Sequence, residues 1–219
     1  HKANTHRTRR GAVLGTVVSG LPDKIVMASG NPGKLREIAQ LLEGLHVEVV
    51  PQSDYGVSEA VEDGSTFAEN SLIKALHASD ATGLAAIADD SGLAVDALDG
   101  RPGVHSARYA GPDATDEQNI DKLLSELEGV PADARGAAFH CVASFVLPGD
   151  GSPIQAEGVW RGSILLARQG DGGFGYDPVF LDPASGLSSA QLSAEQKGAR
   201  SHRGQALRRL VDQIRQRYA

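Results

Sequence analysis

The sequence predicts an α/β protein built on a mixed β-sheet. In the first half, short apolar runs alternate with stretches of helical periodicity, as crossover connections require. In the second half, strand-like runs follow one another closely, as in hairpins.

Lys24 to Ala28 reads as the first strand, and Ser29 to Gly33 as a turn into a helix whose Leu35, Ile38, Leu41 and Leu42 recur at helical spacing. Asn31 suits the N-cap and Pro32 the first helical position. His46 to Val50 is the next strand. Thr66 and Glu69 form a capping box opening a second helix, with Asn70, Lys74 and His77 on a polar face and Ala68, Leu72, Ala75 and Leu76 directed inward. Leu84 to Ala88 is a buried strand expected to give way to a turn at Asp89-Asp90-Ser91-Gly92. A Gly/Pro-punctuated stretch, 92–112, precedes a capped helix from Thr115 through Leu127. Phe139 to Leu147, Ile154 to Trp160, Ser163 to Ala167 and Pro178 to Leu181 supply further strands, and Ser193 to Arg200 and Gln205 to Tyr218 two closing helices.

The chain has 219 residues, 41% hydrophobic and 22% charged, enough for a substantial core. Cys141 is the single cysteine, which excludes disulfide scaffolds and cysteine zinc sites and points to a reducing, cytoplasmic setting. No apolar run approaches the ~20 residues of a membrane span. Net charge is −7, although Lys2, Arg7, Arg9 and Arg10 make the first ten residues basic. The acidic remainder argues against broad nucleic-acid binding. Arg9-Arg10 before Gly11 to Val18 is a poor match to an export signal. Residues 1–22 are expected to be a disordered extension or tag.

Chemistry-bearing residues fall into separate segments. Asp89 and Asp90 place paired negative charge beside a buried strand, where a cation, a shared proton or strong hydrogen bonding is needed to keep both ionised. Divalent metal is the simplest answer, and a solvated turn the alternative. Ser29-Gly30-Asn31-Pro32-Gly33-Lys34 sits at a strand-to-helix turn suited to an anion, equally readable as a structural turn. Its glycine spacing and Leu35 exclude a P-loop. Glu62-Asp63-Gly64 adds carboxylates before the second helix. The loop from Asp171 to Asp177 carries Phe174, able to stack on a nucleobase or to pack in a hairpin. Lys197, Ser201, His202 and Arg203, with Lys34 and Lys74, match the charge of a polyphosphate.

Five segments in this order, SGNPGK (29–34), EDGSTFAENSLIKA (62–75), ADDSGLAVDALDGRPGVHSARYAG (88–111), GDGGFGYDPVF (170–180) and SHRGQAL (201–207), resemble the inosine triphosphate (XTP/dITP) pyrophosphatase family from about residue 24 to the C-terminus. The resemblance implies an elongated mixed sheet with flanking helices and two lobes enclosing the active-site cleft, as a single domain over 23–219. It further implies a homodimer that uses Mg²⁺ to hydrolyse the small-molecule substrates ITP, dITP and XTP to monophosphate and pyrophosphate. By motif, Ser29, Gly30, Asn31, Pro32, Gly33 and Lys34 bind triphosphate, with Lys74 assisting. Asp90 is the general base, Ser91 a substrate contact, and Glu62 with Asp90 the metal ligands, Asp89 being a further candidate. Phe174, Gly175, Tyr176, Asp177, Lys197, His202 and Arg203 hold base and sugar-phosphate. A phosphatase releasing orthophosphate and a nucleotide sensor without turnover are the competing readings.

Overall fold

The computed structural model describes residues 20–149 and 151–218; most of the expected N-terminal extension, 1–19, lies outside the described residues. Seven strands form one sheet in the order β2-β1-β3-β4-β5-β6-β7. They are β1 (Lys24–Met27), β2 (Glu48–Pro51), β3 (Ala85–Val95), β4 (Gly136–Val146), β5 (Ile154–Ile164), β6 (Phe180–Asp182) and β7 (Leu187–Ser188). β1 runs parallel to β2 and β3, and every later pairing is antiparallel, which is the expected mixed sheet. Helices α1 (Pro32–Leu41), α2 (Phe67–Thr82), α3 (Asp116–Glu126), α4 (Ala194–Arg200) and α5 (His202–Tyr218) complete the fold. No described helix is long and apolar enough to cross a membrane.

The helix starts follow their caps. Asn31 accepts hydrogen bonds from Gly33 and Lys34 N–H with Pro32 at the first position, and Thr115 with Gln118 forms a reciprocal capping box. Thr66 caps α2 through the Glu69 N–H, but the Glu69 carboxylate turns to Ser65, at 2.6 Å from its N and 2.8 Å from its Oγ, instead of closing the box.

Sequence expectation and structure part company at several places. β3 does not end before Asp89: its register with β4 is unbroken from Ala86 opposite Val146 to Val95 opposite Ala137, so the acid pair lies within a strand. The runs 154–160 and 163–167 are one strand ending at Ile164. β2 begins at Glu48 because His46 is left-handed, φ 55°. β7 was not foreseen. On α2, Asn70 is fully buried and Leu76 is 44% exposed, the reverse of the expected faces. α5 starts three residues early, where Ser201 Oγ accepts the Gly204 N–H at 3.1 Å as its cap.

The long strands β3, β4 and β5 each serve two apolar clusters. Ala85 and Ile87, Ala143 and Phe145, Ile154 and Ala156 pack with Ile38 and Leu42 near α1 and with Leu207, Leu210 and Ile214 of α5. Farther along the same strands, Leu93 and Val95, Ala137 and Phe139, Trp160 and Ile164 pack with Ile120 and Leu123 of α3 and with Phe180. Asp89 and Ser91 share the parity of these residues and occupy the gap between the clusters. The other face of β3 carries Ala86 and Ala88 under Ala75 and Ala78 of α2. Gly158 lets the start of α5 lie against β5: a Cβ there would stand 1.9 Å from His202 O and 2.7 Å from Ala206 N.

Candidate active site

β1 pairs with β3 only as far as Met27 opposite Ile87, with one further bond from Ala28 N to Ile87 O at 2.8 Å. Beyond that point the edge of β3 loses its parallel neighbour, and this uncovered stretch is Asp89-Asp90. The chain leaves β1 through α1 toward β2 on one side and returns through α2 to β3 on the other, which makes the gap a topological switch point outside the carboxyl end of β1.

Adjacent strand residues face opposite sides of a sheet, so the two acids do not share one pocket. Asp89 faces α1, where both its oxygens accept from Lys34 Nζ at 2.9 Å. Burial pushes its carboxyl upward, but Lys34 and Arg203 outweigh that and leave its pKa below the ordinary value. Asp90 faces α2, where Lys74 Nζ approaches Oδ1 at 3.0 Å and also lies 3.3 Å from Glu62. Here burial wins over Lys74, and the Asp90 pKa is raised. Burial also opposes the Lys74 charge, yet Asp90, Glu62 and Asp89 hold its pKa above the usual range. The expected mutual repulsion is therefore answered by two separate lysines.

Asp90 Oδ2 is buried without a hydrogen bond, and the neighbouring Asn70 Nδ2 is equally unengaged. Asn70 uses its Oδ1 to accept the Gly64 N–H at 2.9 Å, tying down the loop that presents Glu62. A side chain on Gly64 would put a Cβ 2.6 Å from that Oδ1. Glu62 and Asp90 offer hard oxygens of the kind Mg²⁺ prefers. Among the described residues no three His, Cys, Asp or Glu side chains converge as a metal cage. Two carboxylates still suit Mg²⁺, which keeps several of its waters.

The 29–34 loop is held by its own side chains. Ser29 Oγ accepts the Asn31 N–H at 3.1 Å, and Asn31 Oδ1 takes Gly33 N–H at 2.8 Å and Lys34 N–H at 3.3 Å, while Gly30 and Pro32 are exposed. Those three N–H groups are already engaged, so an anion arriving here meets chiefly the Lys34 side chain.

On the far side of the gap lies the aromatic loop. Phe174 is 68% exposed, with Lys197 Nζ 4.7 Å from its ring centroid. Asp177 is buried and accepts from Phe174 N at 2.9 Å, Ser189 Oγ at 2.8 Å and Lys197 Nζ, so its carboxylate organises the loop. Gly175 N–H is held by Asp116 Oδ2 at 2.7 Å. Tyr176 is buried and donates its hydroxyl to Ser106 O at 2.7 Å, an anchor for the loop beside its exposed neighbour. His202 stacks on Phe139 at 4.8 Å and 12°, and burial with Arg203 and Lys197 nearby lowers its pKa to about 3, so the imidazole is neutral with a buried, unpartnered Nδ1. Arg203 reaches Glu37 of α1 at 2.7 Å. Ser91 sits opposite Cys141, whose thiol burial pushes up to about 12.

The residues singled out in the sequence thus form two groups, Lys34, Glu62, Lys74, Asp89 and Asp90 at the β3 edge and Phe174 to Asp177 with Lys197, His202 and Arg203 beyond it. Arg203 links them electrostatically through Asp89. Asn70, Glu37, Asp116, Phe139 and Ser189 have supporting positions that sequence reasoning did not assign. Only Asn70 left a signal, one helical turn before Lys74.

A Ham1 family model matches residues 25–213. The curated dITP/XTP pyrophosphatase of Methylococcus capsulatus is 56% identical over 193 residues, covering 88% of this chain and 96% of its own. That of Pectobacterium atrosepticum is 53% identical and is covered to 98%. Among solved structures, a HAM1 protein from Coxiella burnetii superposes with a TM-score of 0.84 at 45% identity, covering 88% of this chain and 98% of its own. The Ham1 protein of Staphylococcus aureus gives 0.82 at 40%, covering 89% and 99%. With a matching fold, a matching family model and relatives aligned almost end to end, the chain belongs to the Ham1 family.

Proposed function

We propose that this protein is a nucleoside triphosphate pyrophosphatase that hydrolyses ITP, dITP and XTP to the monophosphate and pyrophosphate with Mg²⁺ as cofactor. The observation that carries the reading is Asp90: a buried carboxylate with one oxygen on Lys74, the other free, and a raised pKa, at a switch point flanked by lysines. The names of the curated relatives support the same substrate class. We read residues 23–219 as one two-lobed domain acting as a cytoplasmic homodimer.

On this reading the Asp90 carboxylate accepts the proton of the water that attacks the α-phosphorus. Lys34 and Lys74 neutralise the triphosphate, so that pyrophosphate leaves readily. Mg²⁺, held by Glu62 and Asp90, would add further charge neutralisation on the phosphates. Phe174 stacks on the base. Selectivity against adenine rests on the 6-oxo acceptor of hypoxanthine and xanthine, where a donor leaves the adenine amino group unmatched at ~1–3 kcal/mol, whereas guanine shares that oxygen and is told apart around its 2-position.

Product chromatography after incubation with ITP or XTP and Mg²⁺ should show monophosphate and pyrophosphate, formed much faster than from ATP or GTP. IDP with orthophosphate would make the protein a phosphatase, and no turnover would make it a sensor.

Phe174→Ala is expected to weaken ITP binding by roughly 1–3 kcal/mol, the worth of one aromatic–base stack, and GTP binding by a similar amount. Its ring is 68% exposed, so the melting temperature should barely move. Affinity measured in an Asp90→Asn background separates the two quantities, and a loss confined to ITP would argue against stacking.

A further inference from the structure

A concavity of about 360 Å³ lies between residues 101–112 and Lys122 of α3. Arg101, His105, Arg108, Tyr109 and Lys122 line it together with Pro102 and Pro112. None of these is acidic, in a chain of net charge −7. The side chains of His105 and Arg108 are exposed and have no partner among the described residues. Lys122 Nζ donates to Tyr109 O at 2.8 Å and lies 4.4 Å from the Tyr109 ring centroid. Arg101 and the Tyr109 hydroxyl share Glu126, the one acid among the described residues that bonds to this group.

The wall bearing the cations is built before any ligand arrives. Buried Asn119 donates to Ala107 O at 3.1 Å and accepts the Ala110 N–H at 2.8 Å. Ser106 Oγ accepts the Leu93 N–H at 2.9 Å and donates to Gly103 O at 2.6 Å, and Ser106 O receives the Tyr176 hydroxyl. A pinned segment lowers the ordering cost of binding. Two guanidinium forks and an ammonium match the geometry and charge of a phosphate group, whereas the two prolines and the tyrosine offer an apolar wall. The volume falls within the range of small-ligand sites.

We propose that this pocket binds a small phosphomonoester, its phosphate between Arg101 and Arg108 and its body against Pro102 and Pro112. The test is calorimetric titration of the full chain with phenyl phosphate, and with inorganic phosphate for comparison. Binding should be the same for wild type and Phe174→Ala, which separates this pocket from the aromatic loop. Arg108→Ala should weaken it about tenfold, as loss of a charge-assisted hydrogen bond does, with Arg108→Lys intermediate and Arg101→Ala/Arg108→Ala weaker still. Inorganic phosphate should bind less tightly than phenyl phosphate. Because Arg108 is exposed and unpartnered, circular dichroism and melting temperature should be unchanged. Absent binding, binding indifferent to the arginines, or binding lost in Phe174→Ala would overturn the proposal. So would a change in sedimentation on Arg108→Ala without phosphate binding, which would make the pocket a contact between copies of the chain.

Discussion

Replacing Asp90 by asparagine should lower kcat by roughly 10²-fold or more, the usual contribution of a positioned general base, while the fold survives. The substitution preserves shape and removes a carboxylate whose burial already raises its pKa, so folding loses little by it. The Lys74 ammonium keeps Glu62 at 3.3 Å as a counter-charge. In the wild type, kcat/KM should fall on the acid side as Asp90 becomes protonated and can no longer accept a proton. The asparagine variant should lack this limb. Steady-state rates across pH with ITP check both points. Near-normal turnover would remove Asp90 as base and essential ligand and direct attention to Glu62.

Much of the scaffold was legible because its signals are local. Asn31-Pro32, Thr66 and Thr115 mark their helices within four residues, and the apolar alternation of β4 is plain. What was misread depends on contacts distant in sequence. Asp89-Asp90-Ser91-Gly92 has the composition of a turn, yet it continues as strand because Lys34, 55 residues away, and Lys74, 16 away, neutralise the acids on opposite faces. Asn70 looked like a solvated polar position until Gly64 and Asp90 are seen around it. Arg203 meets Glu37, which lies 166 residues earlier and which no local signal points to. Asp177 accepts from Ser189, Lys197 and the Phe174 N–H, partners that the loop's composition does not disclose. A motif names the residues that matter; pairing between remote segments decides whether each one meets substrate or holds a neighbour that does.

Lys34 illustrates that division and carries the largest expected effect on stability. Its ammonium makes two 2.9 Å bonds to Asp89, whose side chain is only 2% exposed, so Lys34→Met leaves a buried carboxylate without its main partner. Removing one member of such a pair costs about 3–5 kcal/mol when fully buried. Lys34 is 24% exposed and Arg203 remains nearby, so about 3 kcal/mol is expected. The sign of the pH dependence follows from the lowered pKa of Asp89. In the wild type the ionised pair contributes stability above pH 3.8, lost as pH falls through the lower folded pKa. The deficit of Lys34→Met should therefore be full at neutral pH, shrink on acidification and vanish once Asp89 is protonated in both proteins. Denaturant unfolding between pH 7 and pH 3 measures it. Adding Asp89→Asn should restore most of the stability, because a neutral amide needs no counter-charge. It should leave the loss of triphosphate binding uncorrected, because the phosphates still lack Lys34. Rescue of both properties together would mean that Lys34 acts on substrate only through Asp89.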